Sequence, residues 1–217
     1  MSKEVLNKIL EGKIIAIVRG IPSGEVVGLA EALVKGGISC IEVTFDQSSK
    51  EKAEDTLKAI ANIRKALGDK VCVGAGTVMT VEQVEAAAAA GAEYMISPNT
   101  NAAVIKRTKE LDKVSIPGAM TPSEVADAYE LGADIVKMFP AGVLSAAYIK
   151  AVKAPLKHIP VTAVGGVNPA NCAEFIRAGA VGVGVGGNLV SPQYVKEGRF
   201  EEITAIAKFY TDALQDA

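Results

Sequence analysis

The most informative stretch for chemistry is GADIVKMFPAG, residues 132–142, where Lys137 follows an apolar run and precedes Phe139 and Pro140. Lysine is among the side chains least often buried, and an unpaired ammonium in apolar surroundings is costly. Burial disfavours the charged form, and a neutral amine is a nucleophile toward carbonyls. The position therefore points to a lysine that forms a Schiff base. In SCIEVT, residues 39–44, strand alternation puts Cys40, Glu42 and Thr44 on one face and Ile41 and Val43 on the other. Ile41 and Val43 suit the side facing helices, so Glu42 and Thr44 turn inward. Glu42 can then move protons during imine formation and at the carbon beside the imine. Arg19 ends the first apolar run and can supply charge to a carboxylate or a developing oxyanion. Thr77, in GAGTV, can hydrogen-bond a substrate carboxylate.

Two glycine-rich turns add a second kind of site. AVGGV carries Gly165 and Gly166, and VGVGGNLV carries Gly186 and Gly187. Such turns, ending the last two strands of a barrel, often cradle a phosphate with backbone N–H groups. A metal-dependent route to the same enolate chemistry needs a cluster of ligands, yet His158 is the only histidine and stands beside Pro160 on an expected surface loop. No metal and no cofactor are expected.

These residues need a scaffold, and the sequence describes one. Short β-branched runs alternate with helical stretches from end to end, with no linker between them, so residues 1–217 read as one domain. Strands are expected near 14–18, 39–44, 71–74, 94–97, 114–116, 134–137, 161–164 and 181–185. Helices are expected near 23–35, 49–67, 81–90, 102–110, 122–130, 146–152, 169–178 and 200–214, with an extra leading helix near 3–11. Alternation in the third strand sends Val71, Val73, Ala75 and Thr77 to one side. TPSE at 121–124 offers Thr121 as an N-cap with Glu124 three residues on, and glycines at 37, 91, 132 and 179 follow helices where a left-handed cap is wanted. Eight such units favour a closed (β/α)8 TIM barrel over an open doubly wound sheet, which would carry GxGxxG after its first strand.

Composition narrows the partners. With 23 basic against 25 acidic residues and no long run of one sign, nothing marks a nucleic-acid or anionic membrane surface. The first twenty residues lack the pattern of a secretory signal, and no segment approaches a membrane span. Three scattered cysteines fit a reducing cytoplasm better than a disulfide framework.

Taken in order, Arg19, EVT with Glu42, GAGTV with Thr77, ISP with Pro98, PGAMTPSE, KMFPA with Lys137, and GGV with Gly165 and Gly166 resemble the class I 2-keto-3-deoxy-6-phosphogluconate (KDPG) aldolase family, which includes 4-hydroxy-2-oxoglutarate (KHG) aldolases. The resemblance spans nearly the whole chain. It implies a homotrimeric barrel that cleaves a 2-keto-3-deoxy sugar acid phosphate to pyruvate and glyceraldehyde 3-phosphate without metal. By position, Lys137 matches the imine lysine, Glu42 the acid/base, Arg19 and Thr77 the carboxylate contacts, Phe139 an aromatic near the imine, and Gly165 and Gly166 phosphate contacts. Three positions depart from the family pattern: Asp46 stands where many members have arginine, Val164 where TGG is common, and Gly187 where a hydroxyl is often found. The first two lean toward the 6-phosphogalactonate branch. The competing readings are a phosphate-binding barrel of the transferase or isomerase class, with Lys137 only pairing an anion, and a catalytically silent binding protein.

Overall fold

The computed structural model describes residues 2–215 and 217. Its strands are β1 (Ile14–Val18), β2 (Cys40–Thr44), β3 (Cys72–Gly76), β4 (Tyr94–Ile96), β5 (Val114–Ile116), β6 (Gly118–Ala119), β7 (Val136–Met138), β8 (Val161–Val164) and β9 (Gly182–Val185). The helices are α1 (Ser2–Gly12), α2 (Val26–Lys35), α3 (Lys50–Leu67), α4 (Val81–Ala89), α5 (Ala102–Glu110), α6 (Pro122–Glu130), α7 (Ala141–Lys153), α8 (Cys172–Arg177), α9 (Pro192–Lys196) and α10 (Phe200–Gln215).

All pairings are parallel, in the order β5-β4-β3-β2-β1-β9-β8-β7-β6. The two ends of that row are one stave interrupted at Pro117, whose nitrogen has no hydrogen to give to a ladder. Below the interruption β5 pairs with β4; above it β6 pairs with β7. The Asp134 N–H donates to Ser115 O at 3.0 Å and the Lys137 N–H to Pro117 O at 2.8 Å, so the same segment bonds on both sides and the barrel closes. Eight staves result, as the sequence repeat predicts. The Gly118–Ala119 strand was not anticipated, because two residues are too few to show alternation.

Each stave is buried on both faces, which explains its Val- and Ile-rich composition. Ala16, Val18, Ile41, Val43, Val73, Ala75, Val136, Met138, Ala163 and Val183 pack outward against the helices. Ile15, Cys40, Cys72, Tyr94, Ile96, Val114, Ile116 and Ile135 fill the barrel interior. The leading helix α1 inserts Val5 and Ile9, one turn apart, into that inner cluster and closes the N-terminal mouth. Burying each contributes about 1.5–3 kcal/mol.

Helix ends follow the expected chemistry. Thr121 and Glu124 form a capping box at α6, and Gly37, Gly91, Gly132 and Gly179 have φ of 90° to 104°, the left-handed region glycine enters without steric cost. Four helices differ from expectation: α2 begins at Val26 and not near 23, α9 was not anticipated, and two more start elsewhere than expected. The helix expected at 146–152 begins earlier, at Ala141, and breaks at Ser145, where φ is 72°. The one expected at 169–178 starts at Cys172, because Asn168 and Asn171 hold the preceding residues in a turn through side-chain bonds to backbone.

Candidate active site

The C-terminal mouth of the barrel opens on a cavity of about 230 Å³ lined by Ile17, Arg19, Glu42, Lys137, Phe139, Val164, Gly165, Gly166, Val167, Gly184, Gly186, Gly187 and Asn188. A wider groove lies at the other end beside Lys8, Lys13, Lys35 and Lys208. Lys13, Lys35 and Lys208 are partnered by Leu214 O, Glu201 and Asp212 respectively, and the groove holds no buried charge.

Strand β7 sends Val136 and Met138 outward and so turns Lys137 in, 7% exposed. Backbone bonds from Lys137 to Pro117 O and from Phe139 to Ala119 O, with Lys137 in register with Thr162 of β8, fix the strand on both sides. The Lys137 Nζ lies 4.9 Å from the centre of the Phe139 ring. Glu42, from β2, is 2% exposed. Neither side chain has a hydrogen-bond or ion-pair partner among the described residues, although both face one cavity.

Glu42 has room because β3 presents glycine beside it. A Cβ on Gly76 would stand 1.7 Å from Glu42 Oε1, and one on Gly74 would stand 2.1 Å from the Tyr94 ring. The inner face of β3 is therefore Cys72, Gly74 and Gly76, while Val71, Val73 and Ala75 face the helices. Gly184 serves β9 in the same way, its absent Cβ leaving space for Val164 and Ile17.

Electrostatics follow from burial. Loss of water pushes the Lys137 amine below the ordinary lysine value; Glu42 partly restores it and Arg19 adds to the fall. Loss of water likewise pushes Glu42 above the ordinary carboxylate range, against the pull of Lys137 and Arg19. Both shifts favour the neutral forms, an amine and a carboxylic acid, which is the state needed for attack on a ketone followed by proton delivery.

The opposite wall is a donor cradle. Gly165 and Gly166 have φ of 89° and 76°. A Cβ on Gly166 would reach within 2.9 Å of Gly142 Cα, and the Gly142 N–H bonds Gly165 O at 2.7 Å. The N–H groups of Gly166, Val167, Gly187 and Asn188 have no acceptor among the described residues. Asn188 Nδ2 donates to Val167 O at 2.8 Å and ties the two glycine turns together.

Of the residues singled out in the sequence, Lys137, Glu42, Arg19, Phe139, Gly165, Gly166, Gly186 and Gly187 line this cavity, and three do not. Thr44 is 6% exposed, donates to Val18 O and borders a neighbouring cavity with Asp46 and Lys52. Thr77 is half-buried at φ 56°, its carbonyl accepting from Gln47 Nε2 at 2.7 Å. Pro98 borders a separate cavity with Met120, Glu124 and Phe139. Strands β3 and β4 end before Thr77 and Pro98, so alternation no longer dictates where those two point, while Thr44 is the last residue of β2 and its hydroxyl turns to β1. Asp46, expected near the mouth, turns instead to the Ser48 N–H at 2.9 Å and Lys52 at 2.9 Å. His158 is exposed, its ring edge-on to Tyr129. Sequence reasoning missed Ile17, Gly74, Gly76, Val167, Gly184 and Asn188. For the β3 and β9 glycines the signal was present: glycines two apart on an inward face mark where a neighbouring strand's long side chain must lie.

Residues 5–206 match the family model for KDPG and KHG aldolase. The chain belongs to that family. It is a lyase of the class I, Schiff-base type. The aldolase is 36% identical to the 2-dehydro-3-deoxy-6-phosphogalactonate aldolase of Escherichia coli K12, over 93% of this chain and 96% of that protein. It is also 36% identical to the 2-dehydro-3-deoxy-phosphogluconate aldolase of Treponema pallidum, over 85% of each. A solved KDPG aldolase from Legionella pneumophila, with pyruvate captured as a covalent carbinolamine, superposes with a TM-score of 0.84 at 26% identity, covering 94% of this chain and 96% of that one. No helix among the described residues is long and apolar enough to cross a membrane.

Proposed function

We propose that the aldolase cleaves a 2-keto-3-deoxy-6-phospho sugar acid of the gluconate series to pyruvate and glyceraldehyde 3-phosphate, and 4-hydroxy-2-oxoglutarate to pyruvate and glyoxylate. The observation that carries this reading is a nearly buried lysine with no partner, facing a cavity it shares with an equally unpartnered carboxylate. Lys137 Nζ attacks the C2 ketone, and Glu42 delivers the proton that turns the carbinolamine oxygen into departing water, leaving the protonated imine. Glu42, now ionised, takes the proton of the C4 hydroxyl. The C3–C4 bond breaks, its electron pair passes into the imine, and aldehyde and enamine result. Return of that proton to C3 and addition of water release pyruvate and the free amine. Arg19 faces the substrate's anionic end, and the N–H groups around Gly165, Gly166, Gly186 and Gly187 receive the phosphate. Phe139 packs against the imine.

One observation favours a second reading, the galactonate series. Val164 lines the cavity with an apolar side chain where relatives commonly carry a hydroxyl, and a lost buried hydroxyl can shift preference between alcohol epimers by ~1–3 kcal/mol. A lactate dehydrogenase coupled assay of pyruvate release, run on both sugar-acid phosphates and on 4-hydroxy-2-oxoglutarate, separates the two. Release from none of them, by a folded protein, contradicts the proposal. The family likeness also supports a cytoplasmic homotrimer, which light scattering on the eluted protein tests as a mass of three chains.

A further inference from the structure

Below the proposed site lies a polar atom that the mechanism does not use. Tyr94 is 0% exposed, and its hydroxyl has no partner among the described residues. A buried hydroxyl left unpaired costs free energy, so it calls for an explanation. The register supplies one. Glu42 of β2 and Tyr94 of β4 both align with Gly74 of β3. The Tyr94 ring lies over Gly74, with Cζ 2.5 Å from where a Cβ would stand. It thus crosses the glycine gap toward the strand that carries Glu42. Any side chain at position 74 would block that approach.

We propose that Tyr94 is a positioning residue for Glu42: across the Gly74 gap its hydroxyl donates, directly or through one water, to the Glu42 carboxylate whenever that group is ionised. This rests on the reading of Glu42 as the proton shuttle. The other groups near the hydroxyl are weaker candidates. Cys40 and Cys72, in register one layer below, are free thiols, whose sulfur is a weak acceptor. Glu93 is held by Arg64 at 3.0 Å and by the Val73 N–H at 3.2 Å. Glu42 has no protein partner, and the remaining charges around it are Lys137 and Arg19. Burial keeps the Tyr94 phenol protonated throughout the working pH range, so its O–H is available to donate to an ionised carboxylate.

A donor to the ionised form makes a carboxylate more acidic. Tyr94→Phe keeps the ring over Gly74 and removes the oxygen. The alkaline limb of kcat/KM for pyruvate release, which reports loss of the Glu42 proton, is expected to move up by roughly one pH unit, the equivalent of one hydrogen bond to a charged group. Replacement of Tyr94 by 3-fluorotyrosine, a stronger donor of nearly the same size, moves that limb down. In a Glu42→Gln background neither change shifts the profile. Profiles that superimpose on wild type for both variants overturn the inference, as does an equal shift in the Glu42→Gln background. A near-normal rate for Glu42→Gln alone instead overturns the shuttle reading, so the two failures are distinguishable.

Discussion

Two lysine and carboxylate combinations sit three residues apart along one segment of the chain, and they are built to opposite ends. At the N-terminal entry to β7, Lys109 Nζ lies 2.7 Å from both oxygens of Asp134, which also accepts the Ser115 N–H at 2.8 Å. Every charge there is answered, and the result ties α5, β5 and β7 together. At the C-terminal end of the same stave, Lys137 and Glu42 are more deeply buried, yet neither finds a partner among the described residues. The contrast teaches that burial without a partner sets the reactive lysine apart, since Lys109 is both more exposed and paired. A paired ammonium holds structure, and an unpaired one is pushed toward the free amine that can react.

Breaking the reactive combination has the largest effect. Lys137→Met removes the nucleophile, and turnover is expected to fall by on the order of 10⁴-fold or more. The melting temperature should stay level or rise, because an unpaired buried amine contributes no bond to the fold. A pyruvate release assay and a thermal melt check both. Glu42→Gln should slow turnover by about 10²–10⁴-fold. It also removes the negative charge that holds the Lys137 amine up, so the limb reporting the free amine moves to lower pH.

The same substitution has a stability signature whose sign follows from linkage. The folded protein holds a proton on Glu42 above the ordinary carboxylate range, so wild-type stability declines as pH rises from that range toward the raised value. The melting temperature of Glu42→Gln relative to wild type should therefore climb across that interval and be flat below it.

Gly76→Ala leaves every reactive group in place but intrudes on Glu42 at 1.7 Å. Displacement of a catalytic group by about 1 Å can cost ~10²-fold, and that is the loss expected in kcat. The smallest effect on activity belongs to the structural combination. Asp134→Asn should leave kcat within about twofold while costing about 1–3 kcal/mol in denaturant unfolding, through the weakened bonds to Lys109 and Ser115. If it instead abolished activity and spared stability, the division between the two ends of the stave would be wrong.

Much of this was legible in the sequence because barrel staves carry a strict period of two. Ile41 and Val43 outward fix Glu42 inward, and Val136 and Met138 do the same for Lys137. Helix caps were legible because threonine with glutamate three residues on, and glycine after a helix, meet specific backbone demands. Legibility stopped where the period stops. Thr77 and Pro98 lie past the strand ends, where contacts such as that from Gln47 to Thr77 take over, and Thr44, the last residue of β2, is turned by its bond to Val18 O of β1. The break at Pro117 and the clamp from Asn188 to Val167 are likewise contacts between segments, which spacing along one strand does not encode.

The measurement closest to the central claim is reductive trapping. Incubation with pyruvate and borohydride, followed by peptide mass mapping, should place a stable adduct on Lys137 and leave the Lys137→Met protein unlabelled. A protein that releases pyruvate from its substrate yet carries no adduct, or carries it on another lysine, would contradict the account.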